Sequence, residues 1–243
     1  MKHLDNIRIV LCRTIYGGNI GSVCRAMANM GLSDLALVAP VNINWDEARK
    51  MACASGDILA GRKNAATIEE AVADCVLVIG STARLGLYRQ HAAPPRETAP
   101  LVLEAAGNGK VALVFGPEDN GLNNLELTAC NRLIQIPSSI KYRSLNIAQA
   151  VMICAYEIFT AAGIFEPLGE KSAAAPSRMK ELMFAMWEKA LLDIGFMEPD
   201  KKHHMMLGVR RIFSRGKLTE DDVRILMGIA RQAAWCAGQR QNK

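Results

Sequence analysis

The sequence predicts an α/β fold, a parallel sheet covered on both faces by helices. Two observations carry that expectation. The aliphatic runs are short and continuous rather than alternating, as strands buried on both faces require, and most give way to a stretch with helical spacing. Half of the 243 residues are hydrophobic and 22% are charged, the composition of a globular protein with a substantial core.

The elements follow in order. IRIVLC (7–12) is the first strand, and a helix spans 20–31 behind it. LALV (35–38) is the second strand, followed by helical segments at 46–54 and 67–73. CVLVIG (75–80) and VALVFG (111–116) are further strands, with a helix over 97–106 between them. Asn123 and Glu126 have capping-box spacing and open a helix over 124–130. LIQI (133–136) is the last strand. Beyond it, residues 147–165 are apolar almost all round, interrupted by Gln149, Glu157 and Thr160, and read as a buried helix rather than a membrane span.

The composition then changes. EPLGEKSAAAPS is a linker without periodicity. Met179, Leu182, Met183, Met186, Trp187, Ala190, Leu191 and Ile194 fall at the spacing of one inward helix face, which Gly195 would end. The basic segment VRRIFSRGK follows, and Thr219 caps a last helix carrying Val223, Leu226, Met227 and Ala230 inward. The expected organisation is a domain over 1–162, a linker over 163–177 and a helical extension over 178–243.

Several function classes are disfavoured. The seven cysteines stand singly with no C-x-x-C pair, which argues against zinc or thioredoxin-like chemistry and for reduced thiols in a cytoplasmic protein. The start MKHLDNIRIVL lacks a signal-peptide core of adequate length. The four histidines lie outside any motif, so histidine acid–base chemistry is not expected. RTIYGGNIGS has the wrong glycine spacing for a dinucleotide fingerprint. GDILAGRK places Arg62 where a phosphate loop needs lysine. The net charge of +5 is compatible with a polyanionic partner.

Three stretches remain: NIGSVCRAM from Asn19, LVFGPEDNGL around Gly116, and IPSSIKYRSLNIAQAV from Ile136. Each follows an expected strand, where open α/β sheets bind ligands. Each also has a structural reading of its own, with Asn19 and Ser144 as helix caps and Gly116 and Gly121 as turn glycines.

Together, in this order, they resemble motifs one, two and three of the SPOUT class of RNA methyltransferases, in its ribose 2′-O-methylating (TrmH/SpoU-like) branch. The tail, with LLDIGF and VRRIFSR, resembles the extension of the bacterial TrmJ subgroup, which modifies tRNA at anticodon-loop nucleotide 32. Pro117 departs from the arginine that this subgroup often carries between the glycine and Glu118.

The resemblance implies a deep trefoil knot, a homodimer formed through the long apolar helix, and S-adenosylmethionine as cofactor, leaving as S-adenosylhomocysteine. Carried over by motif, the cofactor would meet Ser81, Thr82, Ala83, Val114, Phe115, Gly116, Glu118, Ile136, Ser144, Leu145 and Asn146. The loop SSIKYRSLN would lie buried around it, with Ile134, Ile136 and Leu145 as apolar walls. Arg25 is the catalytic candidate with Asn19 beside it, Glu118 orienting either, and Ser144 and Asn146 orienting the hydroxyl or cofactor. A guanidinium essentially never deprotonates, so Arg25 is expected to hold an RNA phosphate and developing charge while phosphate or water takes the proton. The tRNA would meet Arg84, Arg89, Arg96, Arg143, Arg210, Arg211 and Arg215, with Tyr88 and Tyr142 available for stacking. No metal and no membrane are expected. A catalytically silent RNA-binding module, a methyltransferase for another tRNA or rRNA site, and an unrelated small-molecule enzyme are the alternatives.

Overall fold

The computed structural model describes residues 3–84, 91–167 and 169–241. The chain divides into two compact units, Met1–Glu166 and Pro167–Lys243.

In the first unit β1 (Ile7–Cys12), β2 (Asp34–Val38), β3 (Lys63–Ala65), β4 (Cys75–Ser81), β5 (Ala92–Ala93), β6 (Lys110–Phe115) and β7 (Arg132–Ile134) form one sheet in the order β3-β2-β1-β6-β4-β7-β5. Every pairing is parallel. The side-chain period of two splits the core accordingly. Ile7, Ile9, Leu11, Leu113 and Phe115 enter one cluster, and Val10, Cys12, Ala112 and Val114 enter another on the opposite face. Burying a side chain such as Ile9 or Leu113 is worth about 1.5–3 kcal/mol, so this double coverage is what makes continuous apolar strands stable.

The helices of this unit are α1 (Gly17–Asn29), α2 (Trp45–Ala52), α3 (Gly56–Ala60), α4 (Ile68–Val72), α5 (Pro95–Ala106), α6 (Asn124–Thr128) and α7 (Ile147–Ala162). The sequence reading missed α3, β3 and β5, and it ran the last strand two residues too far. GDILA, weighed above as part of a phosphate loop, is α3. α1 and α2 pack at very short range. A Cβ on Gly17 would collide with the Asn44 carbonyl oxygen, and one on Gly21 with that of Ala48.

One end of the sheet is held by charges. Arg8, buried on β1, donates to the Ala71 carbonyl at 2.6 Å and to Asp74 Oδ2 at 3.0 Å, and its Nε donates to Asp34 at 3.1 Å. Lys63 and Lys110 take the outer sides of Asp34 and Asp74. The opposite end, where the parallel strands finish, is left to loops.

α7 was expected to be wet on no face. Ile147, Val151, Cys154, Ala155, Ile158 and Ala162 are buried, but Gln149 and Thr160 are exposed and Tyr156 is 52% exposed. The helix turns one half to the core and leaves the other half partly open.

The second unit holds α8 (Ser177–Asp193), α9 (Lys202–Phe213) and α10 (Glu220–Gln241). Met183, Phe184, Leu191, Met206 and Val223 form its core. The Phe213 ring packs 5.5 Å from that of Trp187. Gly195, at φ +75°, ends α8 with a Schellman pair: Phe196 N–H donates to Leu191 O and Gly195 N–H to Leu192 O. Leu182 and Ile194, expected inward, are 55% and 50% exposed. Thr219 caps α10 through its hydroxyl, which accepts from the Asp222 N–H at 3.2 Å.

Candidate active site

Four strands end side by side at the loop edge of the sheet. β6 runs into Gly116, where an added Cβ would strike the backbone of Gly121 and Leu122. Gly121 closes this turn at φ +61°, its N–H donating to Pro117 O at 2.9 Å. The chain enters α6 through a true capping box, Asn123 with Glu126. Glu126 also accepts from Arg13 Nε at 2.9 Å, tying the loop after β1 to the loop after β6. After β4, Thr82 N–H donates to Ile134 O at 2.9 Å, which fixes that loop to β7.

Two clefts open here. The first, of about 510 Å³, is lined by Ser81, Thr82, Ala83, Phe115, Gly116, Glu118, Ile136, Ser144 and Leu145, all expected there, and also by Arg84, Arg143, Pro117 and Ile134. The second, of about 810 Å³, is lined by residues of α1, α2 and α7 and by the N-caps of α1 and α7, among them Tyr16, Asn19, Glu47 and Asn146. Glu118, Ser144 and Leu145 border both.

Val114 does not line either cleft. Strand alternation turns it to the opposite face of the sheet, where it is fully buried beside Val10 and Ala112. Asn146 borders the second cleft rather than the first. The loop 137–144 is exposed throughout, with Ile140 at 84% and Tyr142 at 82%, so the expectation of a buried loop does not hold for this chain by itself.

One relay joins the three motifs. Asn146 is the N-cap of α7, its Oδ1 accepting from Ala148 N–H at 2.9 Å. Because that backbone group can only donate, the amide orientation is fixed. Asn146 Nδ2 then donates to Asn19 Oδ1 at 2.9 Å, and Asn19 Nδ2 donates to Glu118 Oε1 at 2.8 Å. The other carboxylate oxygen, Glu118 Oε2, is buried with no hydrogen-bond partner among the described residues. A buried carboxylate oxygen without a donor is costly, and here it sits on a cleft wall.

Arg25 is not brought into this cluster. It is exposed further along α1, its Nη1 3.9 Å from Cys53 Sγ, and it borders neither cleft. Glu118 therefore orients Asn19, not Arg25.

The basic residues divide. Arg84 and Arg143 stand at the first cleft. Arg96 instead forms a two-armed pair with Glu157, at 3.1 and 3.2 Å. Arg210 does the same with Glu181 and lies over the Phe184 ring at 4.4 Å. Arg211 and Arg215 are exposed. Arg89 and Tyr88 lie outside the described residues.

The first cleft suits an adenosyl cofactor. Its size falls in the ~300–1,000 Å³ of small-molecule sites. Ile134, Ile136 and Leu145 offer apolar walls, Ser81, Thr82 and Ser144 offer hydroxyls, and Glu118 Oε2 lacks a donor. No histidine or cysteine lines either cleft among the described residues. Cys130 lies behind the wall, against Gly80. Burial, helped by the Glu126 carboxylate, pushes its thiol up to about 12, so it stays protonated. Sequence reasoning missed Tyr16 and Glu47, which only the packing of α1 on α2 brings to the site.

Known proteins similar to this chain are methyltransferases. The model of the SpoU rRNA Methylase family matches residues 6–156, and that of the tRNA methyltransferase TrmJ C-terminal domain matches residues 179–243. The tRNA (cytidine/uridine/adenosine-2′-O-)-methyltransferase TrmJ of Pseudomonas aeruginosa (strain UCBPP-PA14) is 39% identical over 238 residues, 93% of each chain. The tRNA (cytidine/uridine-2′-O-)-methyltransferase TrmJ of Pectobacterium atrosepticum is 38% identical over 232 residues, 93% of this chain and 95% of that one. Among solved structures, TrmJ from Z. mobilis ZM4 superposes with a TM-score of 0.78 at 31% identity, covering 93% of this chain and 98% of its own. A probable methylase family protein from Haemophilus influenzae gives 0.63 at 33% identity, covering 98% of both. The chain belongs to the SpoU methylase family, and along nearly its whole length to the TrmJ methyltransferases within it.

Proposed function

We propose that the protein is an S-adenosylmethionine-dependent methyltransferase acting on a ribose 2′-hydroxyl of tRNA, at nucleotide 32 of the anticodon loop, in the cytoplasm. The observation that carries this reading is the Asn146–Asn19–Glu118 relay at the junction of two clefts. One cleft has the walls of a cofactor site, and the other leaves room for an acceptor. The named activities of the relatives supply the tRNA and the 2′-oxygen.

When bound, the cofactor supplies an electrophilic methyl group. The chain must hold the acceptor hydroxyl in line with it and steer the departing proton. Ser144 borders both clefts, so its hydroxyl can orient the acceptor. Asn19 and Asn146 keep each other and Glu118 fixed. Arg25, Arg84 and Arg143 are assigned to RNA phosphates, which places Arg25 outside its own chain's clefts and lets phosphate or water accept the proton. In the helical unit, Arg211, Arg215 and Lys217 are assigned to the tRNA backbone.

A homodimer and a knot belong to the same reading. Tyr156 and Phe165 are 52% and 71% exposed, apolar surface that a second copy would cover. The strand order inserts β6 between β1 and β4, and β7 between β4 and β5, a non-consecutive order that is compatible with a threaded chain. The test is methyl transfer from labelled S-adenosylmethionine to tRNA transcripts, with the product mapped by nucleotide. A 2′-O-methyl group at nucleotide 32 is expected. Modification elsewhere overturns the position, and no transfer by a folded, cofactor-binding protein overturns the activity.

A further inference from the structure

The lining of the second cleft has an uneven charge. Among the described residues it contains two carboxylates, Glu47 and Glu118, and no lysine or arginine. An RNA phosphate would be repelled from it, whereas hydrogen-bond donors and uncharged rings would not. Glu47 lies over the first turn of α1, because Gly18 has no side chain there: a Cβ on Gly18 would stand 2.7 Å from Glu47 Oε1. That places the carboxylate next to the turn that bears Asn19. Tyr16, immediately before α1, lines the same cleft and is 58% exposed, and Met51, which also lines it, is 47% exposed. An open aromatic ring, an apolar side chain and the Glu47 carboxylate form a setting for a nucleobase. Stacking on an aromatic ring accepts any base, while a carboxylate accepts from the amino group of cytosine and opposes the carbonyl that uracil carries at that position.

We propose that the second cleft receives the target nucleoside, with Tyr16 stacked on its base and Glu47 accepting from its exocyclic amine, so that Glu47 makes the enzyme favour cytidine over uridine. This rests on the methyltransferase reading above. Ser144, Asn19 and Asn146 then lie on the ribose side, toward the cofactor cleft, and the phosphates remain outside among the cations.

The test uses the full-length protein and two tRNA transcripts that differ only by C or U at the target nucleotide. Single-turnover rates are measured for wild type, Glu47→Gln and Tyr16→Ala. Wild type is expected to prefer C. Glu47→Gln should lower the C-to-U rate ratio roughly tenfold, because an amide can donate to the uracil carbonyl. Tyr16→Ala should weaken both substrates alike, by roughly tenfold in affinity. Binding of S-adenosylhomocysteine, measured by calorimetry, should be unchanged in both variants. An unchanged ratio in an active Glu47→Gln protein overturns the proposal and leaves the methyltransferase reading standing. If that unchanged ratio comes with an altered sedimentation coefficient, the cleft instead takes a cation of a second copy. Wild-type protein that binds S-adenosylhomocysteine but methylates neither transcript removes the underlying reading.

Discussion

Replacing Glu118 by glutamine separates stability from binding. The glutamine carbonyl can keep the bond from Asn19 Nδ2, 2.8 Å long in the native chain. The other end changes from a buried carboxylate oxygen without a donor into an amide NH2. Leaving a buried polar group unpaired costs about 1–3 kcal/mol, and removing the charge relieves part of that. The cofactor-free variant should therefore melt no lower than wild type and by up to a few degrees higher, at about 2–4 °C per kcal/mol for a chain of this size. If Oε2 accepts from the bound cofactor, the variant loses a charge-assisted bond of about 1.5–3 kcal/mol. Affinity for S-adenosylhomocysteine should then fall about ten- to a hundredfold. Differential scanning and titration calorimetry on the same preparations read both quantities. A variant that melts lower than wild type yet binds with native affinity would refute the argument, since the carboxylate would then be structural.

Four further outcomes are expected. Arg25→Ala should leave S-adenosylhomocysteine affinity unchanged and slow single-turnover methyl transfer by roughly two to three decades; a native rate would remove Arg25 from the mechanism. The double variant Arg211→Gln/Arg215→Gln should flatten the log–log salt dependence of tRNA binding by roughly 1.4–1.8, read by filter binding. Arg210→Gln should chiefly lower the melting temperature, because Arg210 is held by Glu181 and Phe184. Finally, hydrogen bonds from Arg8 and Lys110 hold Asp74 well below the usual carboxylate range. Burial alone would raise Asp34, yet Arg8 and Lys63 hold it low as well. The stability these carboxylates contribute is full above their unfolded values near pH ~4 and is lost as pH falls through the depressed folded ones. Arg8→Met should cost no more than about 3–5 kcal/mol at neutral pH, since each carboxylate keeps a lysine. That deficit should shrink in melts toward pH ~2, and a deficit independent of pH would contradict the assignment.

The long strands were legible because an apolar run such as IVLC has few other places to go. β3 and β5 were not, since KNA and AA carry no apolar pattern and become strands only by pairing with β2 and β7. The three motifs were legible because each follows a buried strand. Their internal geometry was only partly so. Strand alternation could have turned Val114 away from the cleft once Phe115 faced it. Helix geometry could have separated Arg25 from Asn19, since six residues at ~100° each leave them on different faces and about 9 Å apart along the axis. The exposure of 137–144 had no signal, because a polar loop has the same sequence whether it faces water or a ligand. Tyr16 and Glu47 carried none either, because their meeting depends on a helix crossing.

That crossing constrains how the motif around Asn19 can vary. What lies against Gly17 and Gly21 is main-chain carbonyl, from Asn44 and Ala48. A bulkier residue at either position thus has no second-site suppressor among side chains, since no substitution in α2 removes a carbonyl; relief requires the whole helix to move. In a saturation scan scored by activity, Gly21 should look as intolerant as Asn19, although it meets no substrate. Intolerance within this motif accordingly mixes chemistry with a helix seam. The two separate only when each variant is also scored for cofactor binding and melting temperature.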